Sequence, residues 1–480
     1  MKDLENSLPL DIGRAEFAQV LREVQPYLEH VLSTLDQGPA AALDTTQGEL
    51  LAKELTKSPS QTGEPLPHVL RELFESALTC TYNTASGRYL AYIPGGGLPT
   101  AAIADMIAGV INRYVTVWVA SPGLVQLEQN TIRWMADLIG LGQAAGGLLT
   151  TGGSMANFSA VVTAREERLN GPLESGVIYV SEQVHHSVTK AAKLAGIRAE
   201  HVVAIPTNET MQLCIDSLIQ QLGVDRAQGL RPFMIVGSAG TTNTGAIDNL
   251  DRLADIADKE GLWFHVDAAY GGFFLLCPEV RGAFQGIDRA DSVTLDPHKG
   301  MFLPYGTGAL VVREREALVR AHDVGADYLP ETGVDASRVD FSTMGPELSR
   351  SFRGLRVWLP LQLHGEISFQ RALSHKLVLA QNVHTRIDSW PHVSLVSGSR
   401  LSVRAFRCAP PGLSLRAIDA LNKDWLNAVN RRQRTHLSGT RIGGAFVLRV
   451  AILNFRTQES HIEVALDDLE STLNELLQAL

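Results

Sequence analysis

The chain has 480 residues, of which 45% are hydrophobic and 20% charged, and a formal net charge of −10. That length supports a large core divided into two or three units, and the acidic balance leaves no electrostatic footprint for nucleic acid or an anionic membrane. The expected partners are small molecules and further copies of the chain, and the four dispersed cysteines, with no Cys-x-x-Cys pair, argue against a disulfide scaffold or zinc site and for reduced thiols in the cytoplasm.

The amino terminus carries acidic residues and no apolar signal-like run, and no later apolar stretch approaches membrane-spanning length without a charge, so neither export nor insertion is expected. Phe17, Val20, Leu21, Val24, Tyr27, Leu28, Val31 and Leu32 recur at three- and four-residue steps and predict an amphipathic helix that needs a surface to pack on. Residues 45–67 are richer in Ser, Thr, Gly and Pro and read as a connector, after which Val69, Leu70, Leu73, Phe74 and Ala77 resume helical spacing.

From about Ala101 to Arg313, helical patterns alternate with short apolar runs: Val177–Val180, Val202–Ile205, Phe233–Val236, Trp263–Val266, Val293–Leu295 and Ala309–Val312. This alternation predicts an α/β fold with a mostly parallel sheet covered by helices. Ligands of such sheets collect beyond the carboxyl ends of the strands, where Ser238–Thr242, Asp267 and His298-Lys299 fall. After about Pro360, a long helical pattern, runs near residues 393–396, 402–406 and 446–453, and a polar terminal helix predict a smaller α/β domain. No internal repeat or low-complexity tract is evident.

The chemistry concentrates in His265-Val-Asp267-Ala-Ala-Tyr270 and Asp296-Pro-His298-Lys299. Asp267 ends an apolar run, and Lys299 follows the next one. Either motif alone reads equally well as a helix cap or a solvated lysine. The ordered pair points to pyridoxal 5'-phosphate (PLP), which needs a lysine as covalent anchor and a carboxylate beside its pyridine nitrogen. Gly152-Gly153-Ser154, between Leu148-Leu149 and a helical pattern, could hold the phosphate on main-chain amides and a hydroxyl. A flat imidazole from His185 or His186 could stack on the ring, and no partners spaced for a metal accompany them.

These segments resemble the group II PLP-dependent amino acid decarboxylases, the family of aromatic-L-amino-acid and glutamate decarboxylases. The resemblance runs from Gly87-Arg-Tyr-Leu-Ala-Tyr92-Ile-Pro94 through Ala120-Ser-Pro, Gly152-Gly-Ser154, Gly240-Thr-Thr242, the Asp267 and Lys299 motifs and Phe352-Arg353 to Val447-Leu-Arg449. It implies the type I, aspartate aminotransferase-like PLP fold, working as a homodimer with shared active sites. Residues 1–85 would form a helical arm on the partner, 86–360 the large cofactor domain and 361–480 the small domain.

By position, the resemblance implies Lys299 as anchor, Asp267 at the pyridine nitrogen and His185 stacked on the ring, the three expected catalytic residues. It further implies Gly153, Ser154 and His298 at the phosphate, Thr242 on the cofactor and Arg449 on the substrate carboxylate. Tyr92 and Pro94 would line the substrate pocket, joined by Tyr114 and Thr116 from the other subunit. Asp296 stands where aromatic decarboxylases commonly have Asn, and a carboxylate there is repelled by phosphate unless it is hydrogen-bonded elsewhere.

The implied activity is a carboxy-lyase that converts an L-amino acid to its amine and carbon dioxide. In the family a loop tyrosine reaches the neighbouring site. Counting back from Phe352-Arg353 puts Phe341 there, and an aligned Phe accompanies oxidative conversion to an aldehyde in some relatives. Aldehyde formation is therefore the second expectation, with Tyr328, Ser342, His185 or water as other proton sources. A non-catalytic PLP-fold subunit is the third.

Overall fold

A computed structural model describes residues 10–42, 45–325 and 338–480. Its main sheet has seven strands: β1 (Gly146–Thr150), β2 (Gly176–Ser181), β3 (Val202–Ile205), β4 (Arg231–Ser238), β5 (Trp263–Asp267), β6 (Ser292–Leu295) and β7 (Gly308–Val312). The spatial order is β1-β7-β6-β5-β4-β2-β3. Strands β6, β5, β4, β2 and β3 are mutually parallel, and β7 runs against both its neighbours. All six apolar runs expected from the sequence are strands, and β1 joins them.

Helices on both faces explain why these strands are apolar throughout. Every residue of β1, β2, β5, β6 and β7 is buried, and a run such as Val177-Ile-Tyr-Val leaves no polar face for water. One face packs with the helix Pro122–Ile139 through Ile132, Met135 and Ala136, and the other with the helix Gly153–Arg168 through Val161 and Ala164. At about 1.5–3 kcal/mol per fully buried aliphatic side chain, these layers hold the strand ends in place.

The second sheet is antiparallel, in the order β10-β11-β9-β8, with β8 (Val393–Leu395), β9 (Val403–Cys408), β10 (Ser438–Ile442) and β11 (Ala445–Ala451). Its core gathers Trp390, Phe406 and Trp425 with residues of the helices Glu366–Asp388 and Glu459–Gln478. The connector expected over residues 45–67 contains a helix, Thr45–Glu54, because Glu49, Leu50, Leu51, Ala52 and Lys53 favour one despite the polar flanks. The first helix, Arg14–Thr34, buries none of its residues and leaves Phe17, Leu21, Leu28 and Leu32 exposed. Among the described residues no helix is long and apolar enough to cross a membrane.

Candidate active site

Strands β2, β4, β5 and β6 end at one edge of the main sheet, and β1 ends there too, since β7 is antiparallel to both β1 and β6. A cavity of about 330 Å³ opens at this edge. Lys299, Asp267, His185, Gly153, Ser154, Thr242 and His298 all line it, together with Asp296 and Tyr305. Sheet topology thus brings together residues that lie far apart in sequence.

Lys299 sits in the short turn of helix Pro297–Gly300 that follows β6. Its Nζ is 2.8 Å from Oδ2 of Asp296, a carboxylate only 2% exposed. Burial opposes charge on Lys299, but Asp296, through charge and a hydrogen bond, and Asp267 outweigh it and hold the lysine above its ordinary pKa. The other Asp296 oxygen, Oδ1, is buried without a hydrogen-bond partner. The repulsion expected between Asp296 and a phosphate is therefore countered on one oxygen alone.

Asp267 ends β5 with both oxygens engaged: Oδ1 accepts from the Ala269 N–H at 3.1 Å and Oδ2 from Asn157 Nδ2 at 3.0 Å. A carboxylate fixed this way presents a ready acceptor to the cavity. His185 caps the helix His186–Leu194, its Nδ1 accepting from the Ser187 N–H at 3.3 Å and lying 2.7 Å from the Ser187 hydroxyl. Burial holds His185 below its ordinary pKa, with Asp267 opposing and Lys299 and His186 assisting, so the ring is neutral at pH 7.

Gly152 and Gly153 open the helix Gly153–Arg168, whose N-cap makes no side-chain hydrogen bond. The Met155 N–H bonds back to the Gly152 carbonyl at 3.0 Å, which leaves the Gly153 and Ser154 amides and the helix dipole for an anion in the cavity. A Cβ on Gly153 would come within 3.0 Å of Asp296 Oδ2 and 3.2 Å of Ala269 Cβ, so only glycine leaves this floor open. His298 donates from Nδ1 to the Thr307 carbonyl at 2.6 Å, and burial keeps the ring below its ordinary pKa despite Asp296.

This donor set fits PLP. The open helix start, Ser154 and His298 suit a phosphate, Lys299 suits the aldehyde, and Asp267 offers an acceptor for a protonated pyridine nitrogen. Among the described residues no group of three or more His, Cys, Asp or Glu side chains is placed to hold a metal ion.

The other residues singled out from the sequence lie elsewhere. Arg449 is 3% exposed and spends its guanidinium on the carbonyls of Tyr92, Thr242 and Asn243 and on Ser438 Oγ. It clasps β11 to the loop after β4, and it does not line the cavity. Tyr92 is exposed in a left-handed conformation, φ 54°, Pro94 is buried, and Tyr114 is exposed. Thr116, expected to reach across to a partner, is fully buried in its own chain, where its carbonyl accepts from the Ser342 N–H at 3.2 Å.

Phe341 requires a correction of position. It is 1% exposed, packed with Leu148, Leu310 and Val312 beneath β1 and β7, and the Arg350 guanidinium lies 4.2 Å above its ring. A side chain enclosed in its own core cannot reach a neighbouring subunit. The segment before the helix Arg353–His364 holds Phe341 in the short turn Phe341–Thr343, which turns the ring into its own core. Tyr328 lies outside the described residues.

Sequence reasoning gave no role to Asn157, which is 1% exposed and bonds directly to Asp267. The available signal was a lone amide one helical turn after Gly153, on the face that buries Ala156, Ala160 and Ala164.

The conserved domain of pyridoxal-dependent decarboxylases matches residues 50–409. An aromatic-L-amino-acid decarboxylase of Bacillus atrophaeus is 34% identical over 417 residues, covering 86% of this chain and 87% of that one. A phenylacetaldehyde synthase of Arabidopsis thaliana is 28% identical over 464 residues, 94% of each chain. The crystal structure of Oryza sativa TDC with PLP and tryptamine superposes with a TM-score of 0.92 at 25% identity, covering 98% of this chain and 99% of that one.

Proposed function

This chain belongs to the pyridoxal-dependent decarboxylase family, and on that premise we propose that it converts an aromatic L-amino acid to the corresponding amine and carbon dioxide. It is a PLP-dependent lyase with the type I fold. The observation that carries the proposal is the meeting of Asp267, locked as an acceptor, and Lys299, paired with Asp296, in one cavity. The aromatic class is supported by the relatives named for aromatic substrates and for a tryptamine complex.

PLP, when bound, supplies an electron sink for the pair released as the carboxylate leaves. Asp267 holds the ring-nitrogen proton that keeps that sink effective, with Ala269 N–H and Asn157 holding the carboxylate in line. Lys299 would anchor the cofactor, and Asp296 Oδ2, 2.8 Å away, holds its Nζ in place and favours its charged form until then. His185, neutral and flat, forms the wall suited to the pyridine face, and Gly153, Ser154 and His298 form the phosphate end. Thr242, tied through its carbonyl to Arg449, borders the cofactor, so Arg449 acts on the site by fixing this loop.

The amine is preferred over the aldehyde because the sequence argument for oxidation rested on Phe341, whose ring is enclosed. Tyr328, the one tyrosine in the sequence between β7 and the helix Arg353–His364, then takes the place of the loop tyrosine. We assign residues 1–85, 86–360 and 361–480 to an arm, a cofactor domain and a small domain. We also assign the active form to a homodimer, in which the exposed apolar residues of the helices Arg14–Thr34 and Pro99–Ile111 find cover.

The test supplies purified, PLP-loaded protein with aromatic, acidic and small L-amino acids and measures carbon dioxide, amine, aldehyde and peroxide. Amine and carbon dioxide in equal amounts from aromatic substrates support the proposal. Aldehyde with peroxide would overturn the amine assignment, and activity confined to acidic or small substrates would overturn the substrate class.

A further inference from the structure

Behind Asp267 lies a chain of buried hydrogen bonds of which the reaction scheme uses only the Asn157–Asp267 link. It starts at the Trp263 indole N–H, a group that can only donate, 2.8 Å from Ser292 Oγ. Ser292 Oγ is also 2.8 Å from His265 Nδ1. On the far side of that ring, Nε2 is 3.1 Å from Asn157 Oδ1, which accepts from the Thr294 hydroxyl at 2.7 Å as well. The two Asn157 amide protons go to Asp267 Oδ2 at 3.0 Å and Ser187 Oγ at 2.9 Å. Ser187 Oγ in turn is 2.7 Å from His185 Nδ1.

Only one set of proton positions satisfies every link. Turning the Asn157 amide over would face its oxygen against the Asp267 carboxylate, so the NH2 must point at Asp267 and Oδ1 at His265 and Thr294. His265 must then carry its proton on Nε2, leaving Nδ1 to accept the Ser292 hydroxyl proton while Ser292 Oγ accepts from Trp263. Burial pushes His265 down to about 4, opposed by Asp267 and by the Ser292 carbonyl, so the ring is neutral as this pattern needs. The Ser187 N–H donates to His185 Nδ1, so that nitrogen carries no proton; Ser187 Oγ, accepting from Asn157, gives its own proton to Nδ1 as well, which leaves the His185 proton on Nε2. All four hydrogen-bonding positions of Asn157 are filled, in a side chain 1% exposed.

We propose that Asn157 is a positioning residue that sets two cofactor-facing groups at once, holding Asp267 as a pure acceptor and, through Ser187, fixing His185 with its proton on Nε2. This rests on the PLP reading for its consequence, though not for the proton positions themselves. The charged groups facing His185 are Asp267, Lys299 and Asp296, with His186 beside it, and none of them bonds to His185 Nδ1 in competition with Ser187.

The test labels histidine with 15N in the cofactor-free protein and reads ring tautomers by 15N–1H correlation. Wild type should show His265 and His185 each protonated on Nε2. Asn157→Asp places a second carboxylate against Asp267 and draws the Ser187 hydroxyl away from His185, so His185 should become a mixture of tautomers and PLP affinity should fall about tenfold or more. Ser187→Ala removes the hydroxyl that relays Asn157 to His185 Nδ1, leaving only the 3.3 Å bond from the main-chain N–H, and should likewise mix the His185 tautomers, so it carries the test if Asn157→Asp does not fold. Thr294→Ala removes a donor without changing direction and should leave both rings as in wild type.

Protonation on Nδ1 of either ring in wild type would overturn the assignment. So would an Asn157→Asp protein that keeps the wild-type tautomers and PLP affinity. Failure of wild type to bind PLP would instead overturn the functional reading, because the tautomers are read without cofactor.

Discussion

Asp296→Asn probes the pair on which cofactor attachment depends. In the cofactor-free protein the Asp296 carboxylate, 2.8 Å from Lys299 Nζ, helps hold the lysine above its ordinary pKa of 10.5. The stability this provides is fully present below 10.5 and is lost as pH rises through the higher folded value. Attachment, however, needs the neutral amine. An amide at position 296 removes a charge-assisted hydrogen bond of roughly 1.5–3 kcal/mol, which corresponds to a roughly 10- to 150-fold rise in the free-amine fraction of Lys299 at neutral pH.

The assay follows the absorbance change when pyridoxal, which lacks the phosphate, is added across a pH series. Omitting the phosphate separates the effect on Lys299 from relief of repulsion between phosphate and Asp296. The pH profile of attachment should move to lower pH in Asp296→Asn. An unchanged profile, or one moved to higher pH, would refute the role given to Asp296.

Phe341→Tyr should leave the amine-to-aldehyde ratio unchanged while costing about 1–3 kcal/mol in urea unfolding, since it adds a hydroxyl to an enclosed ring; a changed product ratio would return Phe341 to the site. Glu128→Ala strands the Arg350 guanidinium, the pair being 0% and 1% exposed at 2.6 Å, and should cost about 3–5 kcal/mol in the same measurement; a loss below about 1 kcal/mol would show that Arg350 finds other compensation. His265 and His436 are pushed down to about 4 by burial, so the unfolded chain takes up protons first. Thermal stability should therefore fall as pH drops from about 6.5 toward 4, and His436→Gln should flatten that slope.

The parts legible in the sequence were those encoded by period and order. Apolar runs such as Val177–Val180 announced buried parallel strands, and Asp267 and Lys299, each just beyond such a run, fell at the same sheet edge. Strand β10 was missed because Ser438-Gly-Thr-Arg-Ile is polar and short, and its pairing with β11 supplies what its composition does not. The orientations of Arg449 and Thr116 were not legible for a related reason: position in a motif does not reveal which way a side chain points, and both point inward. Asn157 was invisible as a functional residue because its partners, Ser187, His265, Asp267 and Thr294, come from separate elements that only folding brings together.

The most direct test of the central claim, that this cavity is built to hold PLP on Lys299, is borohydride reduction of the PLP-loaded protein followed by digestion and peptide mass analysis. The added cofactor mass should appear on the peptide containing Lys299 and be absent from a Lys299→Ala protein. Cofactor mass on a different lysine, or none in wild type, would contradict it.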